Sequence, residues 1–157
     1  IKHKKYDKKQ INDFIDYYLS KDPAGFGDDE IEIFYHQHAA METAYLLGIA
    51  PKFKDLEKFL VSDNFHSRIS ALQLLGNVNS KDSKNFLVET LTDDLYTKFE
   101  KVIAIWAIRK LGDPVYIQQV RDMKDILPTE RMGFGGNIMD PRVGTSFPSP
   151  KEAAEKL

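Results

Sequence analysis

The chain contains no cysteine, which removes a disulfide framework, a thiolate metal site and a cysteine nucleophile together. Reducing and oxidising compartments both remain open on that ground. Long hydrophobic runs are missing as well: the longest purely apolar stretch, Val102 to Ile108, falls far short of the roughly 20 residues that a membrane span requires. No transmembrane helix is expected. Alternation of apolar and polar residues over four or more positions is scarce, so any sheet would be minor. Net charge is small, −2 over 157 residues, which gives no global pull toward nucleic acid or anionic membrane. The charge is uneven, with +4 on residues 1–9 and −6 on the remainder. The lysine-rich start reads as a solvated N-terminal arm. A first residue of Ile rather than Met reads as a trimmed start, leaving a removed signal peptide open, with the cytoplasm slightly favoured.

What is present is helical spacing. Apolar content of 42% and charged content of 29% suit one packed domain over 1–157. Ile11, Phe14, Ile15, Tyr18 and Leu19 mark a first helix, broken by Lys21 to Gly27. Asp28, Asp29, Glu30 and Glu32 then read as capping acids at the positive end of a second, from about Ile31 to Gly48. Pro51 opens a third, marked by Phe53, Leu56, Phe59 and Leu60. Ile69, Leu72, Leu74 and Leu75 mark a fourth, which Gly76 is expected to close in a left-handed conformation. A fifth carries Phe86, Leu87, Thr90 and Leu91. A sixth runs from Phe99 to Leu111 and is apolar around nearly its whole circumference, so it should be buried on all sides, with Trp106 in the core. The seventh carries Tyr116, Val120, Met123 and Leu127. Glycines and prolines from Gly133 to Pro150 prevent regular structure, and Ala153, Ala154 and Leu157 suggest a last short helical piece.

Three of these helices end in one phrase: Tyr45-Leu46-Leu47-Gly48, Gln73-Leu74-Leu75-Gly76 and Arg109-Lys110-Leu111-Gly112. Recurrence at roughly 20–50 residues marks units that bury their apolar faces only against neighbours. Arg68, Ala71, Leu75 and Gly76, preceded by Asp63 at the end of the third helix, resemble the second helix of HEAT repeats, in particular the short bacterial HEAT-like units of phycobilisome lyase relatives. The third pair keeps Ala107, Leu111 and Gly112 with Ala104 in the place of the arginine; the first keeps Leu47 and Gly48. The repeats are degenerate, with glycines 28 and 36 residues apart.

The resemblance implies an all-α, right-handed α-α superhelix (a HEAT-like solenoid) of about three helical hairpins over residues 10–127, closed by an irregular C-terminal cap over 128–157. Phe134, Ile138, Met139, Val143 and Phe147 supply the cap's apolar side. By the same analogy Arg68 pairs with Asp63 or Asp94 as a scaffold contact. The implied function is non-catalytic binding of a protein partner on the second-helix surface, through Tyr35, His38, Glu42, Tyr45, His66, Arg68, Gln73, Tyr96, Lys98 and Lys101. Two alternatives follow from relatives of the same kind: a HEAT-like subunit of a lyase or other modifying enzyme, and a nucleic-acid-binding module, against which the acidic body weighs.

Motifs for chemistry are weak. His36 and His38 lie about 200° apart on one helix and cannot share a metal from a single face; His36 reads as a packed residue near Ala40 and Leu47. Ser67 or Ser70 with His66 lacks a nucleophile elbow, and Gly133-Phe134-Gly135-Gly136 follows no strand and ends in no Lys-Ser or Lys-Thr. Adjacent carboxylates such as Asp93-Asp94 have no cleft partner to raise a pKa. No catalytic residue, cofactor or metal ligand is assigned, and the pattern favours binding over catalysis.

Overall fold

The computed structural model describes residues 7–131 and 147–157. Every regular element among them is helical, so the chain is all-α. Eight α-helices follow in order: α1 (Lys8–Ser20), α2 (Ile31–Leu46), α3 (Phe53–Leu60), α4 (Phe65–Leu75), α5 (Lys81–Thr90), α6 (Lys98–Leu111), α7 (Pro114–Asp122) and α8 (Pro150–Glu155), with a 3₁₀ turn at Lys124–Ile126. Two compact units divide the chain after Val78. The N-terminal lysines Lys2, Lys4 and Lys5, the Gly133–Gly136 loop, and Phe134, Ile138, Met139 and Val143 of the expected cap lie outside the described residues.

Local chemistry fixes most helix starts. The side chains of Asp7, Asn64, Ser80 and Asp113 each accept a backbone N–H in the first turn of their helices, satisfying donors that have no partner within the helix. Thr97 with Glu100 and Ser149 with Glu152 form reciprocal capping boxes on α6 and α8. The start of α2 carries the expected acid in its first turn, Glu32, but no side-chain cap. Glu30 occupies the cap position without a side-chain cap bond, and its carboxylate instead accepts the Gly25 N–H at 2.9 Å. The preceding turn is closed by Gly27, whose carbonyl accepts from Glu30 and Ile31.

Helix ends separate the three glycines that share the repeat phrase. Gly48 and Gly112 adopt φ of +69° and +68°, a region that a side chain disfavours. At α2 the Ile49 N–H reaches the Ala44 carbonyl and the Gly48 N–H the Tyr45 carbonyl, which is the Schellman pattern. Gly76 corrects the left-handed expectation: its φ is −61°. There Gly76, Asn77 and Val78 each bond to the carbonyl three residues back, so the chain leaves α4 through a tightened right-handed turn.

In the first unit α1 packs on α2 and α3 on α4, while α2 lies against α4 and α1 touches α3. The unit is therefore two helical hairpins placed second helix to second helix and first to first. Leu56, Phe59, Leu60, Leu72, Leu74 and Leu75 are fully buried, each worth about 1.5–3 kcal/mol of apolar transfer. Gln37, on the inner side of α2 and only 1% exposed, binds α1 to α2. Its Oε1 accepts the Ala24 N–H at 2.9 Å, and its Nε2 donates to the carbonyls of Asp22 at 2.8 Å and Tyr18 at 3.4 Å. Asn77, just beyond α4, ties α4 to the C-terminal end of α2, donating from Nδ2 to the carbonyls of Ala44, Tyr45 and Ile49 at 3.1, 3.2 and 3.1 Å.

The second unit repeats the arrangement. Here α5 packs on α6, α6 lies against α8, and α5 touches α7, so α8 stands beside α6 as the second helix of a hairpin whose first helix is α7. Ala153 and Ala154 are buried. Phe147 packs with tilted rings against Phe99 and Trp106 of α6, with ring centroids 4.7 and 4.9 Å apart. Trp106 is thus half-buried rather than enclosed, and the segment returning from the C-terminal side covers it. Ion pairs hold that return: Arg131 engages Glu152, and Lys151 reaches Asp125 at 3.0 Å. Bonds from the Arg131 guanidinium, then from the Ser149 amide, hold the Glu152 carboxyl down at about 2.

Candidate binding surface

Along α2, Tyr35, His38, Glu42 and Tyr45 succeed one another at three- and four-residue steps and form one stripe. On α4 the corresponding stripe is His66, Ser70 and Gln73. Because α2 packs on α4, the stripes meet: Ser70 Oγ lies 2.9 Å from His38 Nδ1. Around that bond the rings are contiguous. Phe34 lies 4.4 Å from His38, His66 6.2 Å from His38, Phe26 4.5 Å from Phe34 and 5.7 Å from His66, and Tyr35 5.5 Å from Phe34. Phe26 and Tyr35, 55% and 61% exposed, form the outward part of this patch, with Phe34 buried beneath. Tyr96, Lys98 and Lys101 stand elsewhere, in the second unit.

His38 is the one chemically distinctive group. Burial first, and then the charge of His66, push its imidazole below the ordinary histidine value. Its Nε2 is buried with no hydrogen-bond partner. A serine–histidine hydrogen bond of this length is compatible with nucleophile activation, but a working triad needs a third group to orient the ring through its other nitrogen, and here that nitrogen meets none. The bond serves as a cross-link between α2 and α4. His36, two positions away, faces the opposite helix, with its ring 4.8 Å from Tyr18 of α1. Among the described residues no group of three histidine or carboxylate side chains is placed to hold a metal ion.

The remaining expected contact residues have other settings. Arg68 leaves the stripe and donates from Nη1 to the main-chain carbonyls of Ser62 at 2.9 Å and Asp63 at 3.3 Å. Its link to Asp63 therefore runs through the backbone, bracing the turn between α3 and α4. Tyr96 is 5% exposed and packs edge-on to Phe86. Lys101 is 7% exposed, and Lys98 is paired with Glu130. Neither Tyr96 nor Lys101 presents an open side chain.

Sequence reasoning missed Phe26, Phe34 and Ser70 as members of this surface. Phe26 sits in a glycine-flanked loop with no periodic partner, and the pairing of Ser70 with His38 depends on the register of two helices 32 residues apart. A second apolar surface lies between α1 and α2, an open groove of about 560 Å³ lined by Ile11, Phe14, Leu46 and Leu47. Comparison with protein-family models, with curated proteins and with solved structures yields no match to this chain.

Proposed function

We propose that the chain is a non-catalytic binding module of HEAT-like helical hairpins that recognises a protein partner through the joined α2–α4 surface. The observation that carries this reading is the packing of second helix on second helix and first on first within each unit, the neighbour relation on which repeat proteins build continuous recognition faces. Exposed Tyr35 and Phe26 over a buried ring layer support it, since aromatic side chains dominate the energetics of protein interfaces. A right-handed superhelix of these hairpins is part of the same proposal.

Affinity capture tests it. Tagged parent chain is compared with Tyr35→Asp on the α2 face and with Val115→Asp, which changes an exposed residue of α7. The proposal expects one dominant protein that the parent and Val115→Asp retain and Tyr35→Asp loses. Equal recovery by all three overturns the assignment of the face.

A further inference from the structure

Resting on that reading, we infer that the partner contacts this face through a cationic segment, a stretch of protein bearing arginine or lysine. The exposed rings select for it first. Phe26 and Tyr35 offer open aromatic surface beside His66, and aromatic faces attract guanidinium and ammonium groups. Charge then fixes the sign: from residue 22 to residue 51 the sequence holds six carboxylates and no lysine or arginine. Asp28, Asp29 and Glu32, within three residues of Phe26 or Tyr35, are exposed and form no ion pair among the described residues. Unmatched carboxylates that neighbour the open rings in sequence repel nucleic acid and anionic lipid and draw a basic partner in, an attraction that weakens beyond about 10 Å at 0.1 M salt. Arginine fits best, because its planar guanidinium stacks on a ring and still donates to a carboxylate.

The test titrates the 157-residue chain into a fluorescein-labelled 12-residue peptide of alternating Arg and Ala, and into its Glu-Ala counterpart, by fluorescence anisotropy at low and high salt. Two variants report on the face: Phe26→Ala with Tyr35→Ala, and the near-isosteric Asp28→Asn, Asp29→Asn, Glu32→Gln. Asp93→Asn with Asp94→Asn, exposed acids of the second unit, is the control, and circular dichroism verifies folding. The inference expects the basic peptide alone to bind, about two- to fivefold weakening per ring removed, at least tenfold weakening in the carboxylate variant, and no change in the control. Absence of binding, binding of the acidic peptide, or equal weakening in the control overturns it. Should Tyr35→Asp lose the captured protein while the basic peptide fails to bind, the face stands as an interface and only its cationic specificity falls.

Discussion

Replacing Gln37 by Met isolates the hydrogen bonds that join α1 to α2, because the side-chain volume is nearly conserved and the cavity contribution stays small. Two well-formed bonds disappear, to the Ala24 N–H at 2.9 Å and the Asp22 carbonyl at 2.8 Å, together with a long one to Tyr18 at 3.4 Å. Each good bond contributes about 1 kcal/mol net, and leaving the amide of buried Ala24 unsatisfied adds about 1 kcal/mol or more, so the expected loss is about 3 kcal/mol. Urea unfolding followed by far-ultraviolet circular dichroism measures it. Gln37→Glu should also destabilise, since a carboxylate keeps the Ala24 contact but sets negative charge against two carbonyl oxygens. A loss below about 0.5 kcal/mol for Gln37→Met, within the range of an ordinary surface change, would refute the assignment of this residue as the link.

Further outcomes follow from other sites. The folded-state pKa of His38 is depressed, so its contribution is fully present above the unfolded value of about 6.5 and is lost as pH falls below it; the urea midpoint should drop between pH 7.5 and 5.5, and less so in His38→Asn. Gly112→Ala forces a side chain into φ +68° and should cost about 1 kcal/mol, whereas Gly76→Ala carries no left-handed penalty at φ −61°; their thermal midpoints compare the two. Phe147→Ala uncovers Trp106, the single tryptophan, and should red-shift its fluorescence emission; an unshifted spectrum would contradict the packed arrangement.

Helical periodicity places the first six helices within a few residues, because the spacing of their apolar positions is written locally; the seventh, expected to run through Leu127, instead ends at Asp122 and passes into a separate 3₁₀ turn at Lys124–Ile126. The glycine phrase was less transparent. Leu74 and Leu75 are fully buried, while Leu46 and Leu47 at the equivalent positions of α2 are 70% and 57% exposed, so one sequence phrase serves a core seam in one hairpin and an open groove in another. Burial depends on neighbours, which local spacing does not encode. Gln37 and Asn77 were equally silent, as a polar residue inside or just beyond a helix announces a tertiary bond only when its acceptors are in place. Similarly, α8 is legible locally as a short helix of strong helix formers behind a Ser149 cap, but its place beside α6 comes from burial of Ala153 and Ala154 and from the Arg131–Glu152 pair. On the proposed binding surface, the α2 stripe follows from spacing, whereas Phe26 and the Ser70–His38 bond emerge only when the hairpins are stacked.

The central claim is that α2 and α4 together form the recognition face, and hydrogen–deuterium exchange of the chain with and without its captured protein tests it most directly. The account predicts new protection concentrated in residues 26–45 and 65–75. Protection confined to residues 81–127, with α2 and α4 exchanging as in the free chain, would contradict it.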